Sequence, residues 1–157
     1  MRTNHQGMVT VEFVMVVGVF LLILIAIIEF GRVMFIYNAL EEGTRRGVRL
    51  ATVCPINDPR LAHVTIFDET GGSLIAKDLT TNNVAVLYLD QDGNQIQTPA
   101  TPNNKVKIRY VRVRIDNYRP SAILIPYFNS LPYLNFESTL PRESLGYSPP
   151  QNGDVAC

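Results

Sequence analysis

The spacing of apolar residues divides this chain into a helical part and a strand-like part. Phe13 to Ile28 carries no charged or hydrogen-bonding side chain, and with Met8, Val9 and Val11 the apolar run extends from Met8 to Phe30. As a helix it is about 30 Å long, enough to cross the hydrocarbon of a bilayer. From Asn38 the pattern becomes a stripe: Ala39, Gly43, Gly47, Leu50 and Ala51 recur at three- to four-residue spacing, and Glu41, Glu42, Arg45, Arg46 and Arg49 occupy the other faces. That periodicity predicts a helix continuing beyond the membrane. Pro55 ends it, and Asn57-Asp58-Pro59 reads as a turn.

Beyond the turn the period shortens towards two. Ala62 to Phe67 and Val84 to Leu89 read as strands, the second closed by Asp90 to Gln95. Lys105 to Ile115 alternates most regularly, but Val106, Ile108 and Tyr110 are out of phase with Val111, Val113 and Ile115. A bulge near Tyr110-Val111 would return all of them to one face and leave Lys105, Lys107, Arg109, Arg112 and Arg114 on the other. Arg119 to Leu134 is apolar but broken by Pro120, Pro126 and Pro132, too short and interrupted to span a bilayer. Phe136 to Glu143 reads as a last strand, confined by Pro141 to an edge or bulge. Gly146 to Cys157 reads as a flexible tail unless tethered. The fold class expected is α+β: a long N-terminal helix packed on a small antiparallel sheet.

Composition narrows the possibilities. Formal charge is zero with the signs mixed, which argues against nucleic acid as a partner. The two cysteines, Cys54 and Cys157, lack metal-ligand spacing. Either they pair, closing a loop of roughly a hundred residues and contributing about 4 to 5 kcal/mol, or they remain free thiols; the sequence leaves both open. The acidic turn at Asp90 lacks the full ligand set of a calcium loop, and a hairpin turn accounts for it. His63 reads as a strand surface residue and His5 as part of the N-terminal leader. No nucleophile–base arrangement, phosphate loop or metal cluster is visible, so neither enzyme nor cofactor is expected, although dispersed carboxylates such as Asp116 and Glu137 could converge in the fold.

Glu12 is the exceptional residue of the apolar run. A carboxylate within a membrane segment costs on the order of 3 kcal/mol near its centre and persists where it has a partner. A cleaved secretory signal is disfavoured, since Glu29-Phe30-Gly31-Arg32 follows the run with no small-x-small site. Glu29 and Arg32 are placed to form a local ion pair. Arg32, Arg45 and Arg46 outnumber the N-terminal Arg2 and His5, so a plain positive-inside count puts the C-terminal side in the cytoplasm.

The start of the chain, MRTNHQG-MVTVEF, has a short polar leader, Gly7, an apolar Met8, and Glu12-Phe13. It resembles the processing site of type IV pilin-like proteins. The stretch continuing through Glu29-Phe30-Gly31-Arg32, Asn38-Ala39-Leu40 and Arg49-Leu50-Ala51 is similar to the TadE-like pseudopilins of the tight-adherence (Tad/Flp) pilus system. The resemblance implies that a prepilin peptidase cuts after Gly7 and that Met8 supplies the new α-amine, with Glu12 one turn along. It also implies a bacterial inner-membrane protein with a cytoplasmic N-terminus and a periplasmic C-terminal domain, opposite to the charge count. Its expected partners are the membrane, the peptidase, other pilin-like subunits and the assembly platform, with a surface filament as the product. The expected segments are a leader at 1–7, a transmembrane helix at 8–30, its continuation at 31–53, a small β-rich domain at 54–145 and the tail at 146–157. Gly43 and Gly47 are the expected helix-packing positions, against either another helix or the chain's own sheet. Two alternatives stay open: an unprocessed single-pass envelope protein whose β domain binds a ligand or partner, and a tethered envelope hydrolase.

Overall fold

The computed structural model describes residues 6–68, 72–120, 134–148 and 153–154. One helix, α1 (Gln6–Val53), runs for 48 residues without interruption, about 70 Å at the usual rise. Its first half stands bare, and its second half carries everything else. A short helix α2 (Arg60–Thr65) follows, then strand β1 (Val84–Leu89), a helical turn α3 (Pro102–Lys105), β2 (Tyr110–Tyr118) and β3 (Leu134–Pro141). The three strands form an antiparallel sheet in the order β1-β2-β3, and a separate two-residue ladder joins β4 (Tyr147–Ser148) to β5 (Gly153–Asp154). The fold is α+β.

Register decides which side of the sheet meets α1. The cross-strand rows Val84–Ile115–Phe136, Val86–Val113–Ser138 and Tyr88–Val111–Leu140 share one face. Apolar members of these rows pack in two adjoining clusters. Nearer the membrane end, Ile36 and Leu40 of α1 meet Ile115, Tyr118 and Phe136. Farther out, Val48 and Ala51 meet Tyr88, Val111 and Val113. The opposite face carries Arg112 and Arg114, whose partners are local: Arg112 with Thr139 at 2.9 Å and Glu137 at 3.7 Å, Arg114 with Asp116 at 2.6 Å. It is a solvated sheet face, as antiparallel sheets allow.

Two strand expectations require correction. Ala62 to Phe67 is not a strand; α2 occupies most of it. The Asp58 carboxylate accepts a hydrogen bond from Arg60 N–H at 2.9 Å and turns the chain into a helix that buries Leu61 and Thr65, four residues apart. An apolar run this short fits either period. The central strand begins at Tyr110, not Lys105, because Pro102 opens a helical turn in which Asn104 donates to Thr98. Val106 is therefore exposed, and Lys105, Lys107 and Arg109 do not join the basic sheet face. The register shift lies between Ile115 and Tyr118, where Asn117 adopts φ +56°, and returns Tyr118 to the core. Pro141 lies on β3, an edge strand, as its missing N–H requires. Most of the proline-broken apolar stretch, 121–133, lies outside the described residues.

The far end of α1 is closed by residues from the end of the sheet domain. Glu143 and Leu145 N–H donate to the Thr52 carbonyl at 3.3 and 3.1 Å, and Gly146 N–H donates to the Val53 carbonyl at 2.6 Å. These bonds satisfy carbonyls that a helix end leaves without intrahelical donors. Gly146 sits at φ +79°, and a Cβ there would lie 2.9 Å from Pro55. Only glycine meets both demands without strain. Within the expected tail, then, Gly146 is buried and Tyr147–Ser148 are paired.

Candidate functional site

The exposed half of α1 is the first candidate. Its most apolar window has a mean hydropathy of 3.1 and no buried residue. A core helix of a water-soluble protein would be covered along such a window; here no described residue covers it, which fits a helix that crosses a bilayer. Gly7, Met8, Glu12 and Phe13 all lie on it, with Met8 and Phe13 about two-thirds exposed. Glu12 stands with its carboxylate on bare helix, among residues that only lipid or other apolar helices would cover.

The helix leaves its apolar zone at a part-buried ion pair. Glu29 is 1 % exposed and meets Arg32 at 2.5 Å. A carboxylate so desolvated is tolerable because the guanidinium is adjacent. Tyr118 lies close to this pair; burial pushes its hydroxyl above the ordinary tyrosine range, and the Arg32 charge opposes the shift. One turn on, Tyr37 stacks edge-on against Phe136 with ring centres 5.0 Å apart. Contact between α1 and the sheet therefore reaches along the helix as far as Arg32.

Gly43 and Gly47 sit where α2 crosses α1. A Cβ at Gly43 would fall well inside 3.0 Å of the Thr65 carbonyl oxygen, and one at Gly47 equally close to Thr65 Oγ1. Within the chain, the bare backbone thus admits α2 rather than the sheet. Thr65 Oγ1 donates to the Leu61 carbonyl at 2.7 Å. Arg46 lies 5.2 Å above the Phe67 ring. Along the exposed surface of α1, Arg45 pairs with Glu41 at 2.6 Å, and on the flank beside α2 Arg46 pairs with Glu42 at 3.2 Å, each at i, i+4 spacing. Cys54 is disulfide-bonded; Cys157 lies outside the described residues.

A family model described as TadE-like protein matches residues 7–49. That segment is similar to TadE-like proteins. The match runs from Gly7 into the last turns of α1, takes in Glu12, the Glu29–Arg32 pair and both packing glycines, and stops short of the sheet. No curated protein and no solved structure matches the chain. A TadE-like start on one long apolar helix fits a pilus-related, single-pass membrane protein.

Other polar groups give little chemistry. His63 Nδ1 lies 2.9 Å from the buried Asp68 carboxylate, beside a groove of about 380 Å³ whose walls include Val64, Phe67 and Leu74. Asp90 accepts hydrogen bonds from Asn94 and Asp92 N–H at 2.8 and 2.9 Å, which hold its carboxyl below the usual range. Those bonds, with Gly93 at φ +82°, make the acidic stretch a hairpin turn. Among the described residues no group of three His, Cys, Asp or Glu side chains could hold a metal. Thr65 and the Leu145-Gly146 turn were not legible in the sequence as functional positions, since each matters through a contact with a distant part of the chain.

Proposed function

We propose that this protein is a TadE-like pseudopilin: a prepilin peptidase removes residues 1–7, α1 holds the mature chain in the bacterial inner membrane, and the sheet domain stands on the periplasmic side. It then joins other pilin-like subunits through α1 during assembly of an adhesive Tad/Flp-type pilus. The observation that carries this reading is a carboxylate on the bare apolar half of α1, at Glu12, five residues after Gly7 and within the TadE-like match. Cleavage after Gly7 creates an α-amine at Met8. In a neighbouring subunit this amine is the counter-ion that removes an unpaired charge from the apolar phase.

The orientation is supported by Cys54. A disulfide persists in an oxidising compartment and is rare in the cytosol, so its place at the end of α1 favours an exported domain over the plain arginine count. The test is a pair of variants in the native host. Gly7→Leu should leave the leader attached, whereas Glu12→Ala should be trimmed normally but fail to restore surface adherence. Adherence at the wild-type level by Glu12→Ala would refute the role given to the carboxylate.

A further inference from the structure

The apolar surface of α1 does not end where the membrane does. Ile36 is buried against Ile115, Tyr118 and Phe136, on a sheet whose other face bears Arg112, Arg114 and Glu137. A domain with that charged face stands in water, so the level of Ile36 on α1 lies above the hydrocarbon. Yet on the side of α1 turned away from the domain, Phe30 and Phe35 remain about 60 % exposed, with Met34 about 40 %. Gly31, between the two phenylalanines, has nothing within 4 Å of its Cβ position. Directly above come the exposed pairs Glu41–Arg45 and Glu42–Arg46.

We propose that this outer face, from Phe30 to Arg46, docks a second copy of the chain, parallel and displaced along the axis by four residues. Parallel packing follows from a shared membrane orientation. The displacement follows from charge. In register, two copies would set Glu41 against Glu41 and Arg45 against Arg45, which is repulsive. A shift of four residues, about 6 Å, brings Arg45 of one copy beside Glu41 of its neighbour, with Arg46, which also lies over its own chain's Phe67 ring, flanking Glu42. The same shift places the Phe35 ring over the open backbone of Gly31, a large group into a vacant surface. The interface deepens the pilin reading by fixing a face and a register; it needs only membrane insertion, and not leader removal, to form.

Cysteine cross-linking in membranes tests it. One tagged chain carries Met34→Cys, a second, differently tagged, carries Asn38→Cys, and both keep Cys54. Co-expressed and oxidised, they should give a 34–38 heterodimer several-fold above the 34–34 and 38–38 homodimers and above a Thr139→Cys control on the sheet face. Glu41→Lys/Glu42→Lys in both chains should abolish that excess. It should return when one chain instead carries Arg45→Glu/Arg46→Glu. A dominant 34–34 product, indifference to the charge changes, or cross-linking no higher than the control would overturn the proposal, the last pointing to lipid or a different subunit on this face. Repeating the assay without prepilin peptidase separates the two readings. Persistence of the 34–38 product on untrimmed chains upholds the interface even if processing is refuted, and its absence on trimmed chains refutes the interface alone.

Discussion

Replacing Gly43 or Gly47 with alanine tests the helix crossing at Thr65, and the two should answer differently to one second change. In an isolated helix either substitution gains about 1 kcal/mol. Here each new Cβ would lie well inside 3.0 Å of Thr65, a separation that Cβ contacts essentially never show. At Gly43 the obstructing atom is the Thr65 backbone carbonyl, so α2 itself must move, and overpacking of that kind costs about 3 kcal/mol. The net loss is about 2 kcal/mol, or about 4 to 8 °C in melting temperature for a chain of this size. At Gly47 the obstruction is Thr65 Oγ1, and removing it leaves Thr65 Cβ, at 3.2 Å, as the nearest group. Both single variants should therefore melt lower than wild type. In a Thr65→Ala background Gly47→Ala should become neutral or stabilising by about 1 kcal/mol, whereas Gly43→Ala should stay destabilising. The assay is thermal unfolding of the full chain in detergent micelles, followed by near-ultraviolet tyrosine signals, since the chain has no tryptophan and Tyr88 and Tyr118 are buried. Equal rescue of both glycine variants by Thr65→Ala, or a raised melting temperature for Gly43→Ala alone, would refute the reasoning.

Three more outcomes are expected. Gly146→Ala should cost about 1 to 3 kcal/mol, through the positive φ and the Pro55 contact, and should increase hydrogen exchange at the end of α1; unchanged exchange there would contradict the cap. Under non-reducing conditions Cys54 should resist alkylation, and reduction should lower the melting temperature; alkylation of the untreated protein would contradict the disulfide. Asp58, held below the usual carboxylate range by hydrogen bonds from the Arg60 side chain and backbone, binds its proton more weakly folded than unfolded. Its contribution is present above the unfolded value, about 3.9, and fades as pH falls through the folded one. Asp58→Asn should therefore lower stability near pH 7 and reduce the acid-induced loss below about pH 4; a loss of equal size in both proteins would count against the assignment.

Much of the architecture was legible because it is written in local periodicity. The long apolar run and its stripe gave α1, alternation gave β1 and β3, and Pro55 and Pro141 marked a helix end and an edge strand. The Glu29–Arg32 pair was readable from spacing alone. What escaped depends on contacts distant in sequence. Leu61 and Thr65 reveal a helix only once Asp58 sets its start; Pro102 outweighs the alternation of Lys105 to Arg109; the bulge moves to Asn117, where the left-handed turn is tolerated. The candidate site was legible at its N-terminal end, where Gly7, Met8, Glu12 and Phe13 form a local pattern. Gly43 and Gly47 were visible as packing positions, but nothing near them in the chain names Thr65 as what they admit.

Whether Met8 becomes the mature N-terminus is the central question for this protein. Intact-mass measurement of the protein extracted from its native membranes decides this most directly. A mass lacking Met1 to Gly7 is expected; a full-length mass, in cells with an active prepilin peptidase, would contradict the pilin route.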